Sequence, residues 1–240
     1  MVDPLDAQNS IERAIEALDN NDLVALQRYL QEGGDVDART RDEDGSTLLM
    51  MACNSGHRNA VYALLAGGAD PNAFAPDGRT PLIEAVSKED ITIVRVLLSA
   101  GADPNAITTD NETALTYSIV YRQVKLCEVL LAAGANANDT RYDYPPLAEA
   151  LESSYGSKPP RRKIVRALIQ HGADTDYRGR FESILESALR NDDEKLALLV
   201  LTTCTRINDP DKKGRRPLTI AKELGRGRVV HRLEAMGAVE

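Results

Sequence analysis

The chain reads as an all-α repeat solenoid, stacked helix-turn-helix units joined by short β-hairpin loops, forming one domain over residues 1–240. Two phrases predict it. Leu49, Leu82 and Leu115 stand 33 residues apart, in Thr47-Leu-Leu-Met50, Thr80-Pro-Leu-Ile83 and Thr113-Ala-Leu-Thr116. Gly68-Ala-Asp-Pro-Asn72, Gly101-Ala-Asp-Pro-Asn105 and Gly134-Ala-Asn-Ala-Asn138 keep the same interval. Two phrases locked at one period mark a repeat array, in which each unit buries its apolar face only by stacking on its neighbours.

Each unit runs hairpin, helix, tight turn, helix, loop. A hydroxyl before the first helix can accept from orphan backbone N–H groups, so Thr47, Thr80, Thr113 and Ser183 are read as N-caps. The second helix carries paired leucines (Leu64-Leu65, Leu97-Leu98, Leu130-Leu131), and the chain leaves it through a left-handed residue. That role is given to Gly34, Gly68, Gly101, Gly134 and Gly172. An N-terminal capping repeat, about 1–38, lacks the cap phrase but keeps Leu26, Tyr29, Leu30 and Gly34. Regular and degenerate repeats fill about 39–207. In the fifth, Gly172 lies 38 residues after Gly134, and the added residues fall in the turn-rich segment 153–162, read as an inserted loop between or extending the two helices. The sixth repeat keeps Ser183-Ile-Leu-Glu186 but has Thr205 where the glycine belongs. A C-terminal capping repeat, about 208–240, opens with Arg216-Pro-Leu-Thr219 and carries Lys222, Glu223, Arg226, Arg228 and Arg232 on its polar outside.

Period and phrases together resemble the ankyrin-repeat family over nearly the whole chain, as about seven repeats with degenerate outer ones. The resemblance implies an elongated stack with a concave groove in which other proteins bind, and it implies that Asn72, Asn105, Asn138 and Asn208 stabilise the hairpin turns. One departure stands out. The family's histidine at the fourth position of the cap phrase is Met50, Ile83, Thr116, Ala148, Glu186 or Thr219, so the Thr–His hydrogen bonding of the family is absent, with a cost expected in stability.

Charge is uneven along the chain. Residues 1–157 hold 25 Asp or Glu and 11 Lys or Arg, whereas residues 158–240 hold 12 and 18. In the family register, Asp42, Glu43, Asp44, Asp77, Asp110, Glu112 and Asp143 fall at hairpin tips beside the groove. Aligned carboxylates steer a basic partner and raise its association rate; solubility alone would also explain them. Five of the eight tyrosines lie between positions 117 and 155. Tyr117 falls at a position usually turned toward neighbouring helices. Tyr121, Tyr142, Tyr144 and Tyr155 fall at a helix end, in a hairpin and in the inserted loop, and tyrosine buries area at interfaces while keeping a hydroxyl for its partner. Phe74 extends that patch. The candidate partner-binding residues are therefore Asp44, Phe74, Asp77, Arg79, Asp110, Glu112, Tyr121, Tyr142, Asp143, Tyr144 and Tyr155.

No catalytic, cofactor-binding or metal-binding motif is found. His57, His171 and His231 lie in different repeats with no nucleophile phrase, phosphate loop or ligand spacing beside them. Cys53, near the end of a first helix, and Cys127 and Cys204, within second helices, read as buried packing. No stretch approaches the roughly 18 apolar residues of a membrane helix, and the start resembles no signal peptide, so a cytoplasmic location is expected. The expected function is that of a non-catalytic protein–protein interaction module without cofactor, taking a protein partner, in its sharper form a basic one, in the concave groove. One alternative is an inhibitor or immunity-type protein that neutralises a basic toxin or enzyme. Another is a nucleic-acid-associated protein using the basic stretches Lys158-Pro-Pro-Arg-Arg-Lys163 and Lys212-Lys-Gly-Arg-Arg216, which are short for that task. A monomer is expected, with head-to-tail self-association between acidic and basic parts as the other arrangement.

Overall fold

The computed structural model describes residues 4–40, 44–140, 144–152, 158–179, 182–191 and 193–240. The chain divides into two compact units, Met1–Tyr117 and Ser118–Glu240. Unit 1 contains α1 (Pro4–Asp19), α2 (Leu23–Gln31), α3 (Leu48–Asn54), α4 (Arg58–Ala66), α5 (Pro81–Ser87) and α6 (Ile91–Ser99), and the division falls within α7 (Ala114–Val120). Unit 2 contains α8 (Val124–Ala132), α9 (Pro146–Glu152), α10 (Lys158–Gln170), α11 (Ile184–Arg190), α12 (Glu194–Val200), α13 (Pro217–Glu223) and α14 (Gly227–Ala235).

Helices of seven residues, such as α3, α5 and α11, are too short to persist alone, so packing and caps hold them. In unit 1 the first helices α1, α3 and α5 pack in one row and the second helices α2, α4 and α6 in another, burying Leu49, Leu64, Ile83, Val94 and Leu97. Unit 2 repeats this with α9, α11 and α13 against α8, α10, α12 and α14, over Leu130, Ile164, Leu168, Leu189, Val200 and Leu233.

The predicted caps form. Thr47 Oγ1 accepts from Met50 N at 3.3 Å, Thr80 Oγ1 from Ile83 N at 3.3 Å, Thr113 Oγ1 from Thr116 N at 3.1 Å and Ser183 Oγ from Glu186 N at 3.2 Å. The expected loss of reciprocal bonding is corrected in three repeats. Met50 Sδ accepts from Thr47 N at 3.4 Å, Thr116 Oγ1 from Thr113 N at 2.8 Å and Glu186 Oε2 from Ser183 N at 2.9 Å, so other acceptors stand where the family has histidine.

Four further expectations are revised. Gly33, at φ +83°, is the left-handed residue after α2, not Gly34; Gly34 is needed because a Cβ there would lie 2.4 Å from the Tyr29 ring. Of the segment 153–162, residues 158–162 are the first turns of α10, which runs 13 residues where α4 and α6 run nine, so the described part of the insertion extends the second helix; residues 153–157 lie outside the described ones. Cys204 lies beyond the end of α12, buried in the following turn. Asn72, Asn138 and Asn208 bridge repeats instead of closing their own hairpins. Asn72 Nδ2 donates to Gly101 O at 2.9 Å while its Oδ1 accepts from Asp103 N at 2.7 Å. Asn138 does the same with Gly172 O and Asp174 N, both at 2.7 Å, and Asn208 Oδ1 accepts from Val239 N at 2.8 Å. Where the sixth repeat lacks glycine, Thr205 N donates to Asp176 Oδ1 at 2.7 Å, so the rung survives with an acid in place of the amide.

Candidate functional site

Successive hairpins of unit 1 are tied edge to edge. Arg39 Nη1 donates to Gly45 O at 3.0 Å within its own hairpin and to Phe74 O at 2.8 Å in the next. Thr109 N donates to Asp77 O at 2.7 Å, joining the second hairpin to the third. Gly78 permits that approach: at φ +81° its Cβ would sit 2.8 Å from Ile107 O. The result is a continuous ridge on which Asp44, Asp77, Asp110 and Glu112 are exposed. Phe74, 65% exposed, and Ile107 share a shallow depression with Gly78, Asn72 and Asp103 on this ridge.

Asp44, Asp77 and Arg79 come together with a residue that the sequence reading missed, Glu84, around a cavity of about 310 Å³ walled by Met50 and Met51. Asp77 Oδ1 accepts from Arg79 N at 3.0 Å, which turns the hairpin and presents Arg79 to the helix behind it. Arg79 Nε pairs with Glu84 Oε1 at 2.9 Å, and its guanidinium carbon lies 6.0 Å from the centre of the half-buried Tyr117 ring. Tyr117 is thus half-buried beside Arg79 and not deep core. Burial pushes the Glu84 carboxyl above its ordinary value; Arg79 and Lys88 oppose this, while Asp77 and Asp44 add to it. The sequence signal for Glu84 was an acid interrupting the apolar run Pro81-Leu-Ile-Glu-Ala-Val86. Asp110 and Glu112 do not reach this cavity.

In unit 2, Tyr121 follows α7 and is 60% exposed. Tyr144 is half-buried just before α9, and burial, reinforced by a hydrogen bond with Glu152, pushes its hydroxyl above the ordinary tyrosine value. It lines a narrow cleft with Tyr177, Glu182 and Ser187. Tyr142, Asp143 and Tyr155 lie outside the described residues, as do Asp42 and Glu43.

All three cysteines are buried and free of disulfides. Burial pushes the thiols up, Cys127 and Cys204 to about 12, which keeps them protonated and unreactive near neutral pH. Among the described residues no cluster of three or more His, Cys, Asp or Glu side chains could hold a metal ion, and no helix is long and apolar enough to cross a membrane.

The chain belongs to the ankyrin-repeat family: the family model for ankyrin repeats, three copies, matches residues 13–108 and again 100–179. Its fold is similar to the ankyrin repeat domain of Bcl-3, a member of the IkappaB protein family, at 24% identity and a TM-score of 0.72, covering 92% of this chain and 97% of that one. It is similar to the human ASB11 ankyrin repeat domain at 23% identity and a TM-score of 0.67, covering 94% and 97%. An ankyrin repeat domain from Acinetobacter baumannii AYE shares 26% identity with a TM-score of 0.64, over 93% and 97%. No curated protein matches the chain in sequence. Ankyrin repeats are protein-binding modules, and that is the class to which this chain belongs.

Proposed function

We propose that the protein is a non-catalytic module that binds a basic protein along the hairpin ridge of unit 1. The observation that carries this reading is the hydrogen-bonded continuity of the hairpins, which fixes Asp44, Asp77, Asp110 and Glu112 in one row beside the exposed Phe74 and Ile107. Unit 1 holds 20 Asp or Glu against 8 Lys or Arg, so the row sits in a field that attracts cations over distances beyond contact. Apolar Phe74 and Ile107 then supply the short-range part; in unit 2, taken by itself, the exposed Tyr121 and the half-buried Tyr144 are aromatic contact candidates. A partner covered in this way would have its basic surface masked, which is the act of an inhibitor. The test is capture of partners by wild type, by Phe74→Ala and by Asp77→Asn with Asp110→Asn, followed by association kinetics of the captured protein against salt. The expected result is a slower association for the double asparagine variant, by about tenfold at low ionic strength, with the gap closing as salt rises. An unchanged rate and salt response in that variant would remove the ridge from the interface.

A further inference from the structure

We infer that the outward side of the second helices in unit 2 is an interaction surface in its own right, and that its occupant is the hairpin ridge of another copy of this chain. The inference rests on the ridge reading above and deepens it by naming the partner.

The helices α8, α10, α12 and α14 pack one on the next. Each brings one cation to the same place, directly before the buried residue that opens its inner face: Lys125 before Leu126, Lys163 before Ile164, Lys195 before Leu196 and Arg228 before Val229. All four cations are exposed, and none joins an ion pair among the described residues. Packed helices lie about 8–10 Å apart, so the stack sets these charges out as a file with one step per repeat. Arg166 and Arg232, one turn further along α10 and α14, widen it. The acids on these helices contest it little: Glu194 accepts from Arg228 N at 2.8 Å and Glu234 pairs with Lys222 at 3.7 Å, which leaves Glu128 on α8. The equivalent positions on α4 and α6 of unit 1 hold Asn59 and Thr92, which carry no charge.

Among the described residues no large exposed apolar side chain lies on α8, α10, α12 or α14, so the file holds a partner by charge and offers nothing to insert into lipid or to stack on bases. Its match is a row of anions with the same step. The ridge of unit 1 is such a row: exposed Asp44, Asp77 and Asp110 stand one per hairpin, 33 residues apart, on hairpins tied edge to edge. Two rows cut to one step by the same repeat meet charge for charge over three positions. Each chain carries a net charge of −8. That repulsion is screened beyond about 8 Å at physiological ionic strength, so the facing rows decide. The contact joins unlike surfaces, so every pair keeps an unused ridge and an unused file, and copies add head to tail.

Sedimentation velocity of the full chain, over a concentration series at about 50 mM and about 500 mM salt, tests this. Wild type should sediment faster as concentration rises at the lower salt and lose that dependence at the higher. Lys163→Gln with Lys195→Gln, and separately Asp77→Asn with Asp110→Asn, should each weaken self-association by about tenfold. An equimolar mixture of the two variants should recover wild-type affinity yet stop at pairs, because one intact ridge then meets one intact file and neither chain can add another. Wild type that stays monomeric at every concentration would overturn the inference, as would growth indifferent to the lysine pair or a mixture that fails to pair. If a different basic protein is then captured with its association still sensitive to Asp77 and Asp110, the ridge reading stands and the second copy alone is lost. Self-association that depends on the lysines and not on the aspartates sinks both. Binding of a fluorescent DNA duplex that the lysine variant loses, with wild type monomeric throughout, would give the file to nucleic acid and end the inference.

Discussion

The same link is built once in each unit, with different surroundings. In unit 1, Arg58 at the start of α4 reaches Asp90, which caps α6 by accepting from Thr92 N at 2.9 Å and Ile93 N at 3.1 Å. In unit 2, Arg162 in α10 reaches Asp193, which caps α12 by accepting from Lys195 N at 3.2 Å. The first pair has side chains 55% and 12% exposed, the second 30% and 3%. An arginine thus ties one repeat to the helix cap of the next in both places, but only in unit 2 is the carboxylate sealed from water. Cations elsewhere in unit 2 are similarly engaged. Arg190 pairs with Glu182 at 3.0 Å, Arg215 with Asp211 at 2.8 Å and Glu223 at 2.7 Å, Lys222 with Glu240, and Arg226 donates to Asn191 O at 2.9 Å. Unit 2 thus turns several of its cations toward its own carboxylates, whereas unit 1 leaves the acids of its hairpin ridge facing out. Net charge alone therefore says little about what a surface offers.

The largest effect expected from breaking this comparison is at Asp193. Asp193→Ala removes a cap and strands Arg162, and should destabilise by about 2–3 kcal/mol. Asp90→Ala, where water replaces what is lost, should cost about 1 kcal/mol. Equal losses in urea unfolding would mean that burial does not separate the two links.

Acid sharpens the comparison within unit 1. Burial pushes the Asp90 carboxyl up, but hydrogen bonds from Arg58, Ile93 N and Thr92 N outweigh it and leave it below its ordinary value. Its stabilising contribution is complete above the unfolded value of about 4 and lost as pH falls through the folded one, so the gap between wild type and Asp90→Asn should close on acidification. Glu84 runs the other way. Its raised value means that wild type loses stability relative to Glu84→Gln as pH climbs from about 4 through the folded value. Urea midpoints for the three proteins across that range should show slopes of opposite sign.

The smallest effect concerns the turn between paired helices. Glu89, at φ +59°, adopts the conformation that Gly56 adopts at +70° and Gly225 at +64°. Glu89 is exposed, so Glu89→Gly should stabilise by about 0.5 kcal/mol, the relief of left-handed strain exceeding the added chain entropy. A lower melting temperature would show that Glu89 makes a contact worth more than its strain.

The repeat architecture was legible because caps and exit glycines recur at fixed spacing and act locally: a threonine needs only its own helix to reveal its job. What crossed repeats was hidden. The partners of Arg58 and Arg162 lie 32 and 31 residues away, and pairing them requires the stacking register. Asn72 and Asn138 were assigned to the wrong turn for the same reason. Gly33 takes the left-handed conformation and Gly34 faces the Tyr29 ring, and the string Gly-Gly carries no sign of which does which. At the site, Asp44 and Asp77 were read from the hairpin register, while Glu84 was not, because a buried acid becomes informative only once its neighbours are known. Ile107, exposed beside Phe74, was likewise not singled out by the sequence, since an isolated isoleucine in a hairpin carries no sign of which way it faces.

The rungs between repeats are not chemically equivalent. Asn72 and Asn138 each use a donor and an acceptor, whereas Asp176 offers only acceptors. Slow hydrolysis of either amide to the acid would set an oxygen against the carbonyl of Gly101 or Gly172, turning attraction into repulsion at that one seam. A stored or ageing molecule would therefore loosen first at Asn72 and Asn138, while the seam held by Asp176, already an acid, would keep its strength.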